Sequence, residues 1–454
     1  MDLRLYFILL KHTGILTLFE KKGSMMSKIG IIGLWHLGCV LSAVWSRLGH
    51  QVVGYDSDEG VVSNLKRGKP PLFEPELAET LIDSVEKGLL SYSLELEALA
   101  DCDFVFLSYD TPVLDDDYSD TTILREAVDA AGVMLKDGAV LIVSSQSPVG
   151  FCSEMRILLK EKNETLELAY SPENLRLGEA IDCYLDPGRI ILGSADATTE
   201  KLCRNLFSKI PGEIISVNLE SAEIIKHGIN SFLSTSIVFA NHLADICEMS
   251  GACIDDVVRG MKSDPRIGEK AYLSAGIGFS GGTLGRDLKI LEVLNRDAGG
   301  DAELFGSIHS WNIARKDVIV KRAASILDGL DGRKILLFGA TYKPGTSTLR
   351  RSLPLEIAAL LGQGGAKVAV YDPKADFNSY EGNAVFEVAA SIEAGAESAD
   401  MILLLTDWPE FRDQDWSITA VLMKTPVIFD ARNFLDEQGV KDAGLDYYSI
   451  GRSR

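Results

Sequence analysis

The chain predicts an α/β protein with two doubly wound parallel-sheet domains joined by a long central helix, and three observations point there. From Lys28 onward, short β-branched runs alternate with helical segments, which is the pattern of βαβ units. The stretch from Ser221 to Ser250 then runs without Pro and with a single Gly, as one long helix requires. Beyond it, a second strand–helix block opens at KILLFGA, residues 334–340.

Element by element, the first block reads KIGII as a strand, a helix opening near His36, QVVGYD, a helix near Val61, then DFVFLS, AVLIVSS, LELAYS and RIILGS as strands. These assign residues 28–217 to the first domain. Residues 218–328 form a central helical unit with Ile224, Ile225, Phe232 and Ile237 as its apolar positions, and helical pattern resumes after Asp287 as far as Leu327. A long helix between two α/β halves is a natural spine and dimer contact, so a homodimer or higher homo-oligomer is expected. Residues 329–454 form the last domain, with a helix from Leu353 and strands at VAVYDP, MILLLTDW and PVIFDARN. Residues 1–27 read as an upstream extension before a start at Met25 or Met26. Its runs LRLYFILL and GILTLF are broken by Lys11 and His12 and make neither a spanning helix nor a signal peptide.

The formal charge of -21, from 66 acidic against 45 basic residues, excludes nucleic acid and anionic membrane as main partners. An anionic ligand would need local Lys and Arg to overcome that field. Seven scattered cysteines with no CxxC pair and no Cys/His metal spacing suit a reducing, cytoplasmic compartment and predict no metal.

GLWHLG, from Gly33 to Gly38, follows the first strand and opens a helix, the context of a Rossmann-like dinucleotide turn. Trp35 and Leu37 fill this turn. Trp35 stands where a middle glycine would let backbone approach a pyrophosphate, and its side chain either turns away or partly blocks the helix end. Asp56 ends the second strand, where an acidic residue bonds the ribose of NAD; a capping Asp is the plainer alternative. Lys226 and Asn230 lie four apart on one helical face, equally readable as a solvated Lys and a mid-helix Asn. GFSGGTLGRD, from Gly278 to Asp287, contains Gly281 and Gly282 and has the backbone freedom to approach a ligand closely.

Taken in order from about Lys28 to Asn433, PLFEPEL, YDTP, SSQSPVG, YSPENLRLGEA, DPGRIILG, SAEIIKHGINSFLS, DPRIG, GFSGGTLGRD, TYKPGTSTLRRS, TDWPEFR and FDARN resemble the UDP-glucose/GDP-mannose dehydrogenase family. Each segment alone is an ordinary turn or ion pair, and the order carries the resemblance. It implies NAD as cofactor, a nucleotide sugar as substrate, and oxidation of an alcohol to an acid through a cysteine-bound intermediate. On it, Thr111, Pro112 and Gln146 line the cofactor side, with Gln146 replacing a water-ordering threonine. Glu173 takes the proton-transfer position, while Lys226 and Asn230 sit over the reacting oxygen. Asp287 ends the substrate loop, where it would bond the lysine. Gly278, Gly281, Lys343, Arg350 and Arg432 fall near nucleotide or sugar, and Arg266 on an arginine that reaches across a dimer interface.

Thr283 stands where the family has its cysteine, and a threonine hydroxyl is far more basic than a thiol and leaves badly. The expected activity is therefore hydride transfer from the alcohol of a UDP-sugar to NAD, with the thioester-dependent second oxidation in doubt. An oxidoreductive epimerase with no net NADH and a non-catalytic nucleotide-sugar or NAD sensor are the competing readings.

Overall fold

The computed structural model describes residues 26–111, 120–172, 175–280, 283–380, 382 and 385–452. Pro112, Glu173, Gly281 and the upstream extension up to residue 25 lie outside the described residues.

The first domain is an eight-stranded sheet of β1 (Lys28–Ile32), β2 (Gln51–Tyr55), β3 (Leu90–Ser93), β4 (Phe104–Leu107), β5 (Val140–Val143), β6 (Glu167–Tyr170), β7 (Arg189–Ser194) and β8 (Glu213–Val217). Its order is β3-β2-β1-β4-β5-β6-β7-β8, parallel throughout except for the β6–β7 pair. The central strands β4 and β5 are buried at every residue, which is why they read as unbroken apolar runs. Helices α1 (His36–Arg47), α2 (Glu59–Leu65), α3 (Leu77–Glu86), α4 (Thr122–Met134), α5 (Phe151–Lys162), α6 (Ala180–Leu185) and α7 (Ala197–Phe207) cover the two faces. On one face Trp45 is fully buried, with its ring 5.6 Å from both Phe106 and Phe207, tying α1 and α7 to β4.

The long helix α8 spans Leu219–Ser250 and starts two residues before Ser221, because the Asn218 side chain accepts from the Ser221 N–H and caps it there. Gly251 ends it at φ 78°. The helices α9 (Ile254–Lys262), α10 (Leu284–Asp297) and α11 (Glu303–Leu327) follow. A second, six-stranded sheet is built from β9 (Lys334–Phe338), β10 (Lys367–Tyr371), β11 (Glu387–Val388), β12 (Met401–Leu404), β13 (Val427–Asp430) and β14 (Asp446–Ser449). Its order, β11-β10-β9-β12-β13-β14, is parallel throughout and repeats the plan of the first. The chain is thus two Rossmann-like domains joined by a long central helix. No helix among the described residues is long and apolar enough to cross a membrane.

In both sheets the strand order reverses beside the first strand, between β1 and β4 and between β9 and β12, where open α/β sheets leave a crevice for ligands. Glu74 ties the first crevice's turn to the loop before α6. Its carboxylate lies 2.9 Å from His36 Nε2 and accepts the Gly178 N–H at 3.0 Å and the Ala180 N–H at 2.8 Å, joining the start of α1 to that of α6. Burial opposes ionisation, but the His36 and backbone hydrogen bonds outweigh it and hold the carboxyl below its ordinary range. Glu74→Gln is expected to cost about 1–3 kcal/mol at neutral pH. A lowered carboxyl pKa gives stability that is present above the unfolded value and lost as pH falls through the folded one. The melting temperatures of the two proteins should therefore converge below about pH 4 in thermal unfolding, and a gap unchanged in acid would disprove this role.

Candidate active site

At the first crevice, Gly33 has φ +91°, and a Cβ there would lie 2.6 Å from Tyr109 Cδ1. A Cβ on Gly38 would lie 1.8 Å from the Gly33 carbonyl oxygen, so only glycine lets α1 pack against its own turn. Asp56 locks the turn, accepting the Leu34 N–H at 2.8 Å with one oxygen and the Asp58 N–H at 3.0 Å with the other. Trp35 occupies the cap position of α1 and is 43% exposed, while Leu37 packs on the first core. The turn offers a helix N-terminus beside a carboxylate, and these residues fit a dinucleotide pyrophosphate and ribose.

A cavity of about 450 Å³ opens between the first domain, α8 and the start of α10 at Thr283. Lys226, Asn230 and Thr283 all line it, so the tertiary fold brings together three of the candidate residues. Arg176 and Arg189 add positive charge to its wall, in a chain whose formal charge is -21. Lys226 and Asn230 are 5% and 8% exposed, held on one face of α8. Thr283 is exposed at the cap position of α10, and its hydroxyl makes no capping bond.

Behind this wall lies a buried polar network. Asp287, fully buried, receives hydrogen bonds from the Gln146 amide and from Asn230 Nδ2, and its Oδ1 is 2.7 Å from His227 Nδ1. Gln146 Oε1 in turn accepts from Arg286, whose guanidinium also reaches the Thr111 carbonyl at 3.0 Å and hydroxyl at 2.8 Å. The Thr111 and Gln146 side chains therefore hold the Arg286 guanidinium inside the protein. His227 is the participant that sequence reasoning missed; its only signal is a histidine placed beside Lys226, three residues before Asn230 on the same helix.

The loop before Thr283 is pinned by partners that sequence gave no cause to single out. Asn312 Oδ1 accepts the Phe279 N–H and Nδ2 donates to the Phe279 carbonyl, both at 2.8 Å. Gly278 has φ +103°, and a Cβ there would lie 2.6 Å from Asn312 Oδ1. Asn241 accepts the Gly276 N–H at 2.7 Å, and Arg315, bridged to Asp245, donates to the Gly276 carbonyl at 3.0 Å.

From the second domain, Lys343 donates to the Leu177 carbonyl at 2.7 Å, and burial lowers its pKa. Arg350 pairs with Asp110 at 2.8 Å, so both cations reach across to loops of the first sheet. Arg432 pairs with Asp407 at 3.0 Å. Arg266 is exposed and pairs with Asp264 at 2.6 Å, away from the cavity wall.

Residues 27–211 match the NAD binding domain of the UDP-glucose/GDP-mannose dehydrogenase family, residues 220–314 its central domain and residues 336–437 its UDP binding domain. A UDP-glucose 6-dehydrogenase of Rickettsia typhi is 33% identical over 432 residues, covering 93% of this chain and 99% of the relative. The UDP-glucose 6-dehydrogenase TuaD of Bacillus subtilis is 32% identical over 433 residues, 94% of each chain. The solved UDP-glucose dehydrogenase of Pyrobaculum islandicum superposes with a TM-score of 0.87 at 26% identity, over 95% of this chain and 99% of that one. The chain belongs to the UDP-glucose/GDP-mannose dehydrogenase family and is an NAD-dependent oxidoreductase of the nucleotide-sugar dehydrogenase kind.

Proposed function

We propose that this enzyme transfers one hydride from the alcohol of a UDP-sugar to NAD, and that Thr283 limits the second oxidation. The observation that carries the reading is the shared cavity: the nearly buried Lys226 and Asn230 line one space with Thr283. NAD supplies the hydride acceptor when bound, and Gly33, Gly38 and Asp56 are the residues that would hold it. Leu37, Thr111 and Gln146 support that crevice, and the roles of Pro112 and Glu173 rest on the family resemblance alone.

Lys226 stabilises the oxyanion that develops as the alcohol loses its proton, because a desolvated ammonium interacts strongly with a nearby alkoxide. Asn230 has its amide nitrogen committed to Asp287, which leaves its carbonyl oxygen to accept a hydrogen bond from a substrate hydroxyl. Glu173 is the proposed proton acceptor. Thr283 lacks the acidity for attack on the aldehyde, so a thioester route is closed to it and further oxidation depends on hydration of the aldehyde. Arg176 and Arg189, with Lys343, Arg350 and Arg432 from the second domain, supply the diphosphate with cationic partners. Gly278 and Gly281 permit the loop's approach to the sugar. The same hydroxyl at position 283 also favours a second reading, an epimerase that returns the hydride to the sugar.

We infer further that the enzyme is a homodimer through α8. Phe232, Phe239 and Ile246 recur at intervals of seven along this helix and are 71%, 48% and 53% exposed, an apolar stripe of the kind that a second copy covers. In such a dimer the exposed Arg266 would exchange its Asp264 pairing for the neighbouring site.

Incubation with NAD and a panel of UDP-sugars, followed by NADH absorbance and product mass, is expected to give about one NADH per sugar in a first fast phase. Two NADH at a single rate would refute a limit at Thr283, and an altered sugar without NADH would establish the epimerase. Lys226→Ala is expected to lower kcat by at least about 10²-fold with NAD binding intact, and unchanged turnover would remove Lys226 from the mechanism. Light scattering should give twice the chain mass for the native protein and the single mass for Phe232→Glu; a monomeric native protein would sink the dimer.

A further inference from the structure

We propose that His227 is a positioning residue that fixes Asp287 and, through it, the orientation of Asn230 toward the reacting sugar, which rests on the oxidoreductase reading above. The imidazole is fully buried between two partners on different elements: the Ser147 carbonyl, 2.9 Å from Nε2, and Asp287 Oδ1, 2.7 Å from Nδ1. A carbonyl oxygen only accepts, so Nε2 carries a hydrogen. At 2.7 Å from a carboxylate oxygen, Nδ1 shares one further proton with Asp287.

The other donors leave that carboxylate little freedom. Arg286 donates to Gln146 Oε1, which turns the Gln146 amide nitrogen toward Asp287 Oδ1. Asn230 Nδ2 donates to Asp287 Oδ2, so the carbonyl oxygen is the end of the amide not bound to Asp287, on a residue that lines the cavity. Glu223, one helical turn before His227, is taken up by the N–H groups of Gly150 and Cys152 at 2.6 and 2.8 Å and caps α5. The remaining charged neighbour on this helix is Lys226, which precedes His227 and faces the cavity. Removal of the imidazole frees one side of Asp287, lets the carboxylate rotate, and releases the Asn230 amide to present either end to the substrate.

The test uses the full-length protein with His227→Phe and His227→Gln. With NAD and a UDP-sugar that the native enzyme oxidises, His227→Phe is expected to lower kcat by about 10²-fold while NAD affinity stays unchanged, since the reacting groups are misplaced and the crevice is not. His227→Gln, which can still donate to Asp287, should regain roughly tenfold of that loss. Native turnover in His227→Phe, or a loss of NAD affinity in step with kcat, would overturn the proposal. A second readout needs no substrate. The proton between His227 and Asp287 is shielded from water and should give a far-downfield resonance in the native protein, absent in His227→Phe and Asp287→Asn. If that resonance is missing from the native protein the positioning role fails, whereas absence of turnover on every UDP-sugar with the resonance present counts against the assigned reaction alone.

Discussion

The buried carboxylate of Asp287 is the point on which the architecture of the candidate site depends. A carboxylate removed from water is costly unless donors surround it, and here they arrive from the loop after β5 through Gln146 and from α8 through Asn230 and His227. Asp287 itself belongs to the first turn of α10, and its N–H donates to the Thr283 carbonyl at 3.1 Å. Satisfying one charge therefore registers the first sheet, the central helix and the first turn of α10 against one another. It also sets where Thr283 stands relative to Lys226.

The two crevices solve the same backbone problem with the same device. After β1, Asp56 accepts from Leu34; after β9, Asp372 accepts the Ala340 and Thr341 N–H groups at 2.8 and 3.0 Å. Each turn carries a left-handed glycine, Gly33 at φ +91° and Gly339 at φ +96°, pressed against the residue two past the strand across the switch point, Tyr109 and Thr406. The loops of the two crevices meet directly. A Cβ on Gly178 would lie 3.2 Å from the Gly345 carbonyl oxygen, and Lys343 and Arg350 cross the same boundary.

Much of this was legible in residues alone. Buried parallel strands must read as apolar runs, and β1, β4, β9 and β12 do, so the doubly wound plan follows from pattern and spacing. The glycines at 33 and 38 were visible as a turn, and Lys226 and Asn230 shared a helical face by periodicity. Other features were not legible. Leu90–Ser93 is a short edge strand with an alternating burial pattern, too brief to stand out, and the antiparallel reversal at β7 depends on where the chain crosses the sheet. Nor was the burial of Arg286, which is 4% exposed and turned into the protein, where it bonds Thr111 and Gln146.

Sequence by itself determined the local terms: which segments bury an apolar face, where only glycine fits a turn, and which side chains share a helical stripe. Tertiary structure alone decided who pairs with whom among the buried polar groups. His227 finds Asp287 across 60 residues and Arg286 finds Thr111 across 175, contacts that no local period encodes. The physical reason is that periodicity records the average environment of a face, whereas a buried hydrogen bond depends on the position of one partner atom brought there by the rest of the chain.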